Sequence, residues 1–155
     1  MSVQFADEQD DPLEPGQLVE LAERVLAAEL CPEGTEVSLT MVDEQAMSEH
    51  NERHLGKLGA TDVLSFPIED LSPGVPPQRV PGGPPPVLGD VLVCPAVVRA
   101  NAAAGAVRFE DEMALMVVHG LLHLLGYDHV DDAEAELMEG RERELLASAG
   151  RVKPS

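Results

Sequence analysis

Three of the chain's five histidines fall within a single short segment, His119-Gly120-Leu121-Leu122-His123-Leu124-Leu125-Gly126-Tyr127-Asp128-His129. His119 and His123 are four apart, so on a helix their imidazoles stack on one face and offer two nitrogens to one metal ion. Gly126 follows His123 by three residues and can take the left-handed conformation that ends a helix and turns the chain back. That turn returns His129 to the same metal. Three imidazole ligands leave a fourth position open, the arrangement of a catalytic zinc site. Imidazole donors also suit nickel and iron. A histidine pair on a helix usually has no metal. Here, however, a third histidine and the turning glycine accompany it, on the most apolar helix of the chain, where an uncompensated imidazole is costly.

The spacing is similar to that of the metzincin zinc proteases, with one telling difference. Where those enzymes carry a Glu after the first His, as general base, this chain carries Gly120. Glycine takes no proton, so the same cradle must serve another base or another reaction. His50 and His54 are also four apart, but on a polar stretch with no third ligand nearby, and read as solvated surface residues. Cys31 and Cys94 read as two buried, reduced thiols, since two cysteines make no disulfide framework.

The segment His119 to His129 matches the pattern H-G-x-L-H-L-x-G-Y-D-H at every fixed position, and so resembles the YbeY family of bacterial single-strand-specific metallo-endoribonucleases. Thr61-Asp62-Val63-Leu64-Ser65-Phe66-Pro67 matches a second family segment, and Leu88-Gly89-Asp90-Val91 a third. The resemblance covers nearly the whole chain. It implies one Zn²⁺ per chain on His119, His123 and His129, and a small sheet with the zinc helix packed across it. It also implies cleavage of single-stranded RNA, maturation of the 3′ end of a 16S rRNA precursor, and a part in late ribosome quality control. Many members carry an Arg at the position of Leu55. Arg53 and Lys57 flank that position and are the candidates to replace it toward RNA.

Zinc would lower the pKa of a bound water and polarise a phosphoryl oxygen. Asp128, next to the third ligand, is a candidate to accept a proton or steer a ligand, or else a structural carboxylate of the turn. Tyr127 reads as packing. The RNA 2′-hydroxyl is an alternative nucleophile. Two other functions stay open: a ribosome-assembly factor in which zinc is mainly structural, and a metal-dependent hydrolase of another substrate, including a peptidase, against which Gly120 argues.

Positioning these side chains needs a scaffold, and hydrophobic periodicity outlines it. Val3 to Phe5 reads as a short strand. Leu18, Leu21, Val25, Leu26 and Ala28 share a helix face that Pro32 and Gly34 end. Glu36 to Val42 alternates as a half-buried strand, and Asp43 caps a helix through about His54. Thr61 to Pro67 and Gly89 to Val93 read as strands. Pro95 opens a helix through about Ala104, and helices follow at Glu110 to Leu125 and Asp132 to Ala147. Leu115, Met116, Val118, Leu122 and Leu125 should pack the histidine helix onto the sheet. Residues 69–88 hold seven of the thirteen prolines and read as an extended, polyproline-like surface loop. The expectation is one α+β domain over residues 1–155: a small mixed sheet of about four strands covered by helices, with a metzincin-like zinc helix.

Composition narrows the function further. The chain has 155 residues, a hydrophobic share of 44% and an aromatic share of only 3%, so base stacking on aromatic platforms is not its mode of binding. Its formal net charge is −19, which excludes general attraction to nucleic acid or anionic membrane. Residues 53–108 alone are nearly balanced, with five basic and four acidic side chains. Weak RNA affinity from so few cations points to a basic partner, such as a ribosomal protein or the ribosome. No membrane or DNA partner is expected. The acidic start, Met1 to Asp10, lacks the features of a signal peptide, and the reading is cytoplasmic.

Overall fold

The computed structural model describes residues 3–154. The element order is β1 (Val3–Glu8), α1 (Gly16–Ala28), β2 (Glu36–Val42), α2 (Glu44–Leu55), β3 (Val63–Pro67), β4 (Val87–Val93), α3 (Pro95–Ala104), α4 (Phe109–Leu124) and α5 (Asp132–Ser148). The strands form one sheet in the order β1-β2-β4-β3. β1 and β4 both run parallel to β2, and β3 runs antiparallel to β4. The α+β class with a four-stranded mixed sheet is thus as the sequence indicates.

The two faces of the sheet carry different layers. Val37, Leu39 and Met41 of β2 and Val91 and Val93 of β4 join the main core with Leu21, Val25 and Leu26 of α1 and with α4. On the opposite face Val42, Leu64, Leu92 and Cys94 pack with Met47 of α2. α4 is the central element. Ten of its residues are buried, from Met113 to Leu124, so it is covered nearly all round. Leu115, Met116, Val118 and Leu122 are buried on it, and Leu125 just beyond it, as their packing role requires. Each such side chain contributes about 1.5–3 kcal/mol relative to exposure. Glu110, Asp111 and Glu112 lie in its first turn, where the helix dipole favours negative charge.

Three local readings differ from the sequence pattern. β1 runs to Glu8, three residues past Phe5, because backbone pairing with β2 as far as Val42 outweighs the acidic composition. β4 begins at Val87, where pairing with Glu36 of β2 starts. The proline-rich segment is not extended throughout. Tight turns close at Val75 N–H to Ser72 C=O (3.0 Å) and Gly83 N–H to Val80 C=O (2.8 Å), and Pro77 and Pro86 are buried. Its glycines allow turns that a proline run alone would not. Cys94 is buried and Cys31 half-buried, and both are free thiols.

Candidate metal centre

α4 ends in a Schellman turn that builds the site. Gly126 N–H donates to His123 C=O at 3.1 Å, and Tyr127 N–H donates to Leu122 C=O at 3.0 Å. Gly126 sits at φ 98°, and a Cβ there would come within 2.2 Å of the Leu71 carbonyl oxygen. Only glycine satisfies both demands. Beyond the turn, Asp131 caps α5 by accepting from Glu134 N–H at 2.8 Å. His129 lies between turn and cap, and its ring returns to the pair on α4. The ring centroids are 4.6 Å apart for His119 and His123, 5.0 Å for His123 and His129, and 5.6 Å for His119 and His129. One nitrogen from each can be chosen so that all three lie within 4.8 Å of one another.

Two partners orient the rings. Glu142 of α5 is 3% exposed, and its Oε2 lies 2.6 Å from His119 Nδ1. The Tyr127 carbonyl oxygen lies 3.0 Å from His123 Nδ1. A carbonyl only accepts, and a buried carboxylate beside an imidazole also accepts. Both Nδ1 atoms therefore carry the proton, and both Nε2 atoms present lone pairs. Those Nε2 atoms face each other at 3.1 Å. Two opposed lone pairs at that distance repel unless a proton or a metal ion lies between them, and with a third imidazole within reach this donor set fits a metal ion. Burial and the neighbouring His119 and His129 push the His123 pKa down, which keeps the ring neutral and able to ligate.

Glu142 was not among the residues the motifs single out. Its signal lies in α5, whose buried positions are Met138, Glu142, Leu145 and Leu146. A carboxylate in the middle of an apolar stripe needs a partner, and His119 is that partner. Its neighbour Arg141 reaches Glu29 Oε2 at 3.4 Å and donates to Ala28 C=O at 3.2 Å. Burial and hydrogen bonding to Glu29 push the Tyr127 hydroxyl up to about 12. Tyr127 thus packs, as its sequence position implies, and its carbonyl also fixes His123.

The histidines open into a cleft of about 790 Å³ whose lining includes all of Thr61 to Pro67, the end of α2 and the α4–α5 turn. Leu55 and Lys57 line it; Arg53 is exposed and does not. Of the five cations in residues 53–108 only Lys57 reaches this lining. Arg99 instead stacks on Phe109, its guanidinium carbon 4.0 Å from the ring centroid, and Arg108 faces Glu110. Asp128 lines the cleft too, and its Oδ1 accepts from His129 N–H at 2.8 Å. His54 also lines the cleft, with its ring 4.9 Å from Phe66 and 5.8 Å from His50. Half-buried His50, with its Nδ1 enclosed and unpartnered, is less solvated than its polar helix implied.

Gly120 has a packing reason. A Cβ there would lie 2.6 Å from Val91 Cγ1 and 3.2 Å from Val63 Cγ2. Ser65 Oγ donates to the Gly120 carbonyl at 2.9 Å. The residue after the first histidine faces the sheet, with no room for a glutamate.

Residues 4–150 match the family model described as Endoribonuclease YbeY. The chain belongs to the YbeY family. The Endoribonuclease YbeY of Renibacterium salmoninarum is 42% identical over 156 residues, covering 100% of this chain and 98% of that protein. Its counterpart in Arthrobacter sp. is 41% identical with the same coverage. A Thermotoga maritima protein of known solution structure is 27% identical, with a TM-score of 0.60, covering 96% of this chain and 91% of that one. The matched residues 4–150 run from β1 through α5 and include all three histidines.

Proposed function

We propose that this chain is a single-domain, zinc-dependent endoribonuclease that cuts single-stranded RNA, with a 16S rRNA precursor as its substrate in the cytoplasm. The observation that carries the reading is the His119–His123–His129 cluster. Its His119 and His123 rings are pre-oriented by Glu142 and the Tyr127 carbonyl, and it opens into a cleft. The relatives' shared name, Endoribonuclease YbeY, supplies the substrate class.

In this reading the three histidines hold one zinc ion. Zinc supplies Lewis-acid polarisation of a phosphoryl oxygen and acidifies water. The chain's own groups do the positioning. Glu142 and the Tyr127 carbonyl keep both Nδ1 protons in place, so that the Nε2 lone pairs stay turned to the ion. Lys57 meets phosphate along the cleft, and Arg53, exposed on α2 outside the cleft lining, meets the strand beyond it. Asp128 accepts a proton at the mouth of the site, within reach of solvent.

The cleft's sparse positive charge favours a second reading, in which the chain is a ribosome-assembly factor and zinc is mainly structural. Metal content and RNA cleavage, measured together for the wild type and for His123→Ala, separate the two. The nuclease reading predicts about one zinc per chain, and a variant that stays folded while metal and cleavage fall together. A variant that fails to fold favours structural zinc. A wild type that binds no metal refutes both.

A further inference from the structure

We propose that the free edge of β3 is a docking strand for an extended, basic peptide segment of a partner protein, which joins the sheet as a fifth strand along the cleft. β3 is the outermost strand on its side of the sheet, and its whole length lines the cleft. Cys94 N–H donates to Asp62 C=O at 2.9 Å, and Ile68 N–H donates to Leu88 C=O at 2.9 Å. With the register Leu64↔Leu92 and Phe66↔Asp90, these bonds fix the phase of the ladder. Residues 62, 64, 66 and 68 turn their backbone groups toward β4. Val63, Ser65 and Pro67 turn theirs to the open side.

That open side is rich in acceptors. Val63 N–H is taken by Asp62 Oδ1 at 2.8 Å, and Pro67 has no N–H. The groups left facing outward are the carbonyls of Val63, Ser65 and Pro67 and the single N–H of Ser65. An edge with unspent backbone groups is a template for another strand. It asks for a partner that brings donors.

Charge selects the partner. The cleft lining holds one cation, Lys57, against Asp62, Glu69, Asp70 and Asp128, a net of −3 with the histidines neutral, and still −1 with the proposed zinc ion in place. An extended peptide with Lys or Arg on alternate residues supplies both N–H donors and positive charge. Leu55, 53% exposed on the same lining, offers apolar contact to its aliphatic residues. A second copy of this chain is disfavoured, because two acceptor-rich edges from chains of net charge −19 would meet. RNA along this edge would set phosphates against the same carboxylates. A docked basic peptide places cations in the cleft, which gives a partner a direct way to admit RNA. The docking itself does not depend on RNA cleavage and is tested without it.

The test uses the full chain and a synthetic peptide alternating Lys and Val. Its backbone N-methylated analogue keeps the charge and the lysine ammonium groups but loses every backbone N–H donor. A Glu-Val peptide reverses the charge, and a single-stranded oligonucleotide probes the nucleic-acid alternative. Affinity is measured by titration, and amide exchange is followed at Ser65. The Lys-Val peptide should bind about tenfold or more tighter than either altered peptide, and Ser65 exchange should slow by at least about tenfold. Replacing Glu69 and Asp70 with their amides should weaken the peptide. Equal binding of the N-methylated analogue overturns the proposal, as does an unprotected Ser65 amide. Protection of Ser65 by the oligonucleotide and not by the peptide assigns the edge to nucleic acid, and self-association through β3 assigns it to a second copy.

Discussion

At the residue scale, the proposed metal site leans on a carboxylate behind the histidines, buried Glu142 of α5. Its Oε2 lies 2.6 Å from His119 Nδ1, which in the proposed site would keep His119 Nε2 turned to the ion. Glu142→Gln should weaken zinc binding about 10–100-fold, read by chelator competition, with little change in fold. Undiminished affinity would mean that the ring is held by packing alone. The thiols offer a second check. Burial and the nearby Glu29 push the Cys31 thiol up to about 11, and burial likewise raises Cys94. The reactive thiolate of Cys31 is therefore scarce at neutral pH and grows as pH rises toward about 11. Alkylation of the native protein should be slow at neutral pH and should accelerate about tenfold per pH unit until that value is approached. Rapid labelling at neutral pH would contradict the burial.

At the scale of elements, two glycines decide how α4 lies. Gly120 lets the helix touch the sheet, where an added methyl would meet Val91 Cγ1 at 2.6 Å. Alanine gains helix propensity there but overpacks the interface. Gly120→Ala should lose about 1–3 kcal/mol in denaturant unfolding. A neutral result would show that Val91 shifts freely. Gly126 is the tighter constraint, because its positive φ and the Leu71 carbonyl both exclude a side chain. Gly126→Ala should displace the turn that returns His129, so metal affinity should fall with stability. A variant that keeps full zinc affinity would show that the Leu71 segment can move aside.

At the scale of the whole molecule, electrostatics sets how RNA is met. A chain of net charge −19 whose cleft lining carries Lys57 as its one cation can neutralise few phosphates. For single strands the salt slope of binding is about −0.7 per phosphate contact. The slope here should lie between about −0.7 for Lys57 alone and about −1.4 with Arg53 added, and Asp70→Lys should both tighten RNA binding and steepen the slope by about 0.7. A steep slope in the wild type would place phosphates on cations outside the cleft. No helix among the described residues is long and apolar enough to cross a membrane.

Local pattern carried much of this into the sequence. The i, i+4 histidines, the glycine three residues on and the third histidine place the histidine cluster without a fold, because helix geometry and one turn set their distances. Pro67 after an apolar run marked the end of β3, and Pro95 the start of α3, for reasons of backbone sterics alone. What only the tertiary structure decided were relations between distant segments. Glu142 meets His119 across 23 residues, and Ser65 meets Gly120 across 55. The position of β3 at the sheet edge follows from strand order, which hydrophobic alternation does not encode. The near-balanced charge of residues 53–108 dispersed over separate faces, because charges adjacent in sequence share a surface only when packing puts them there.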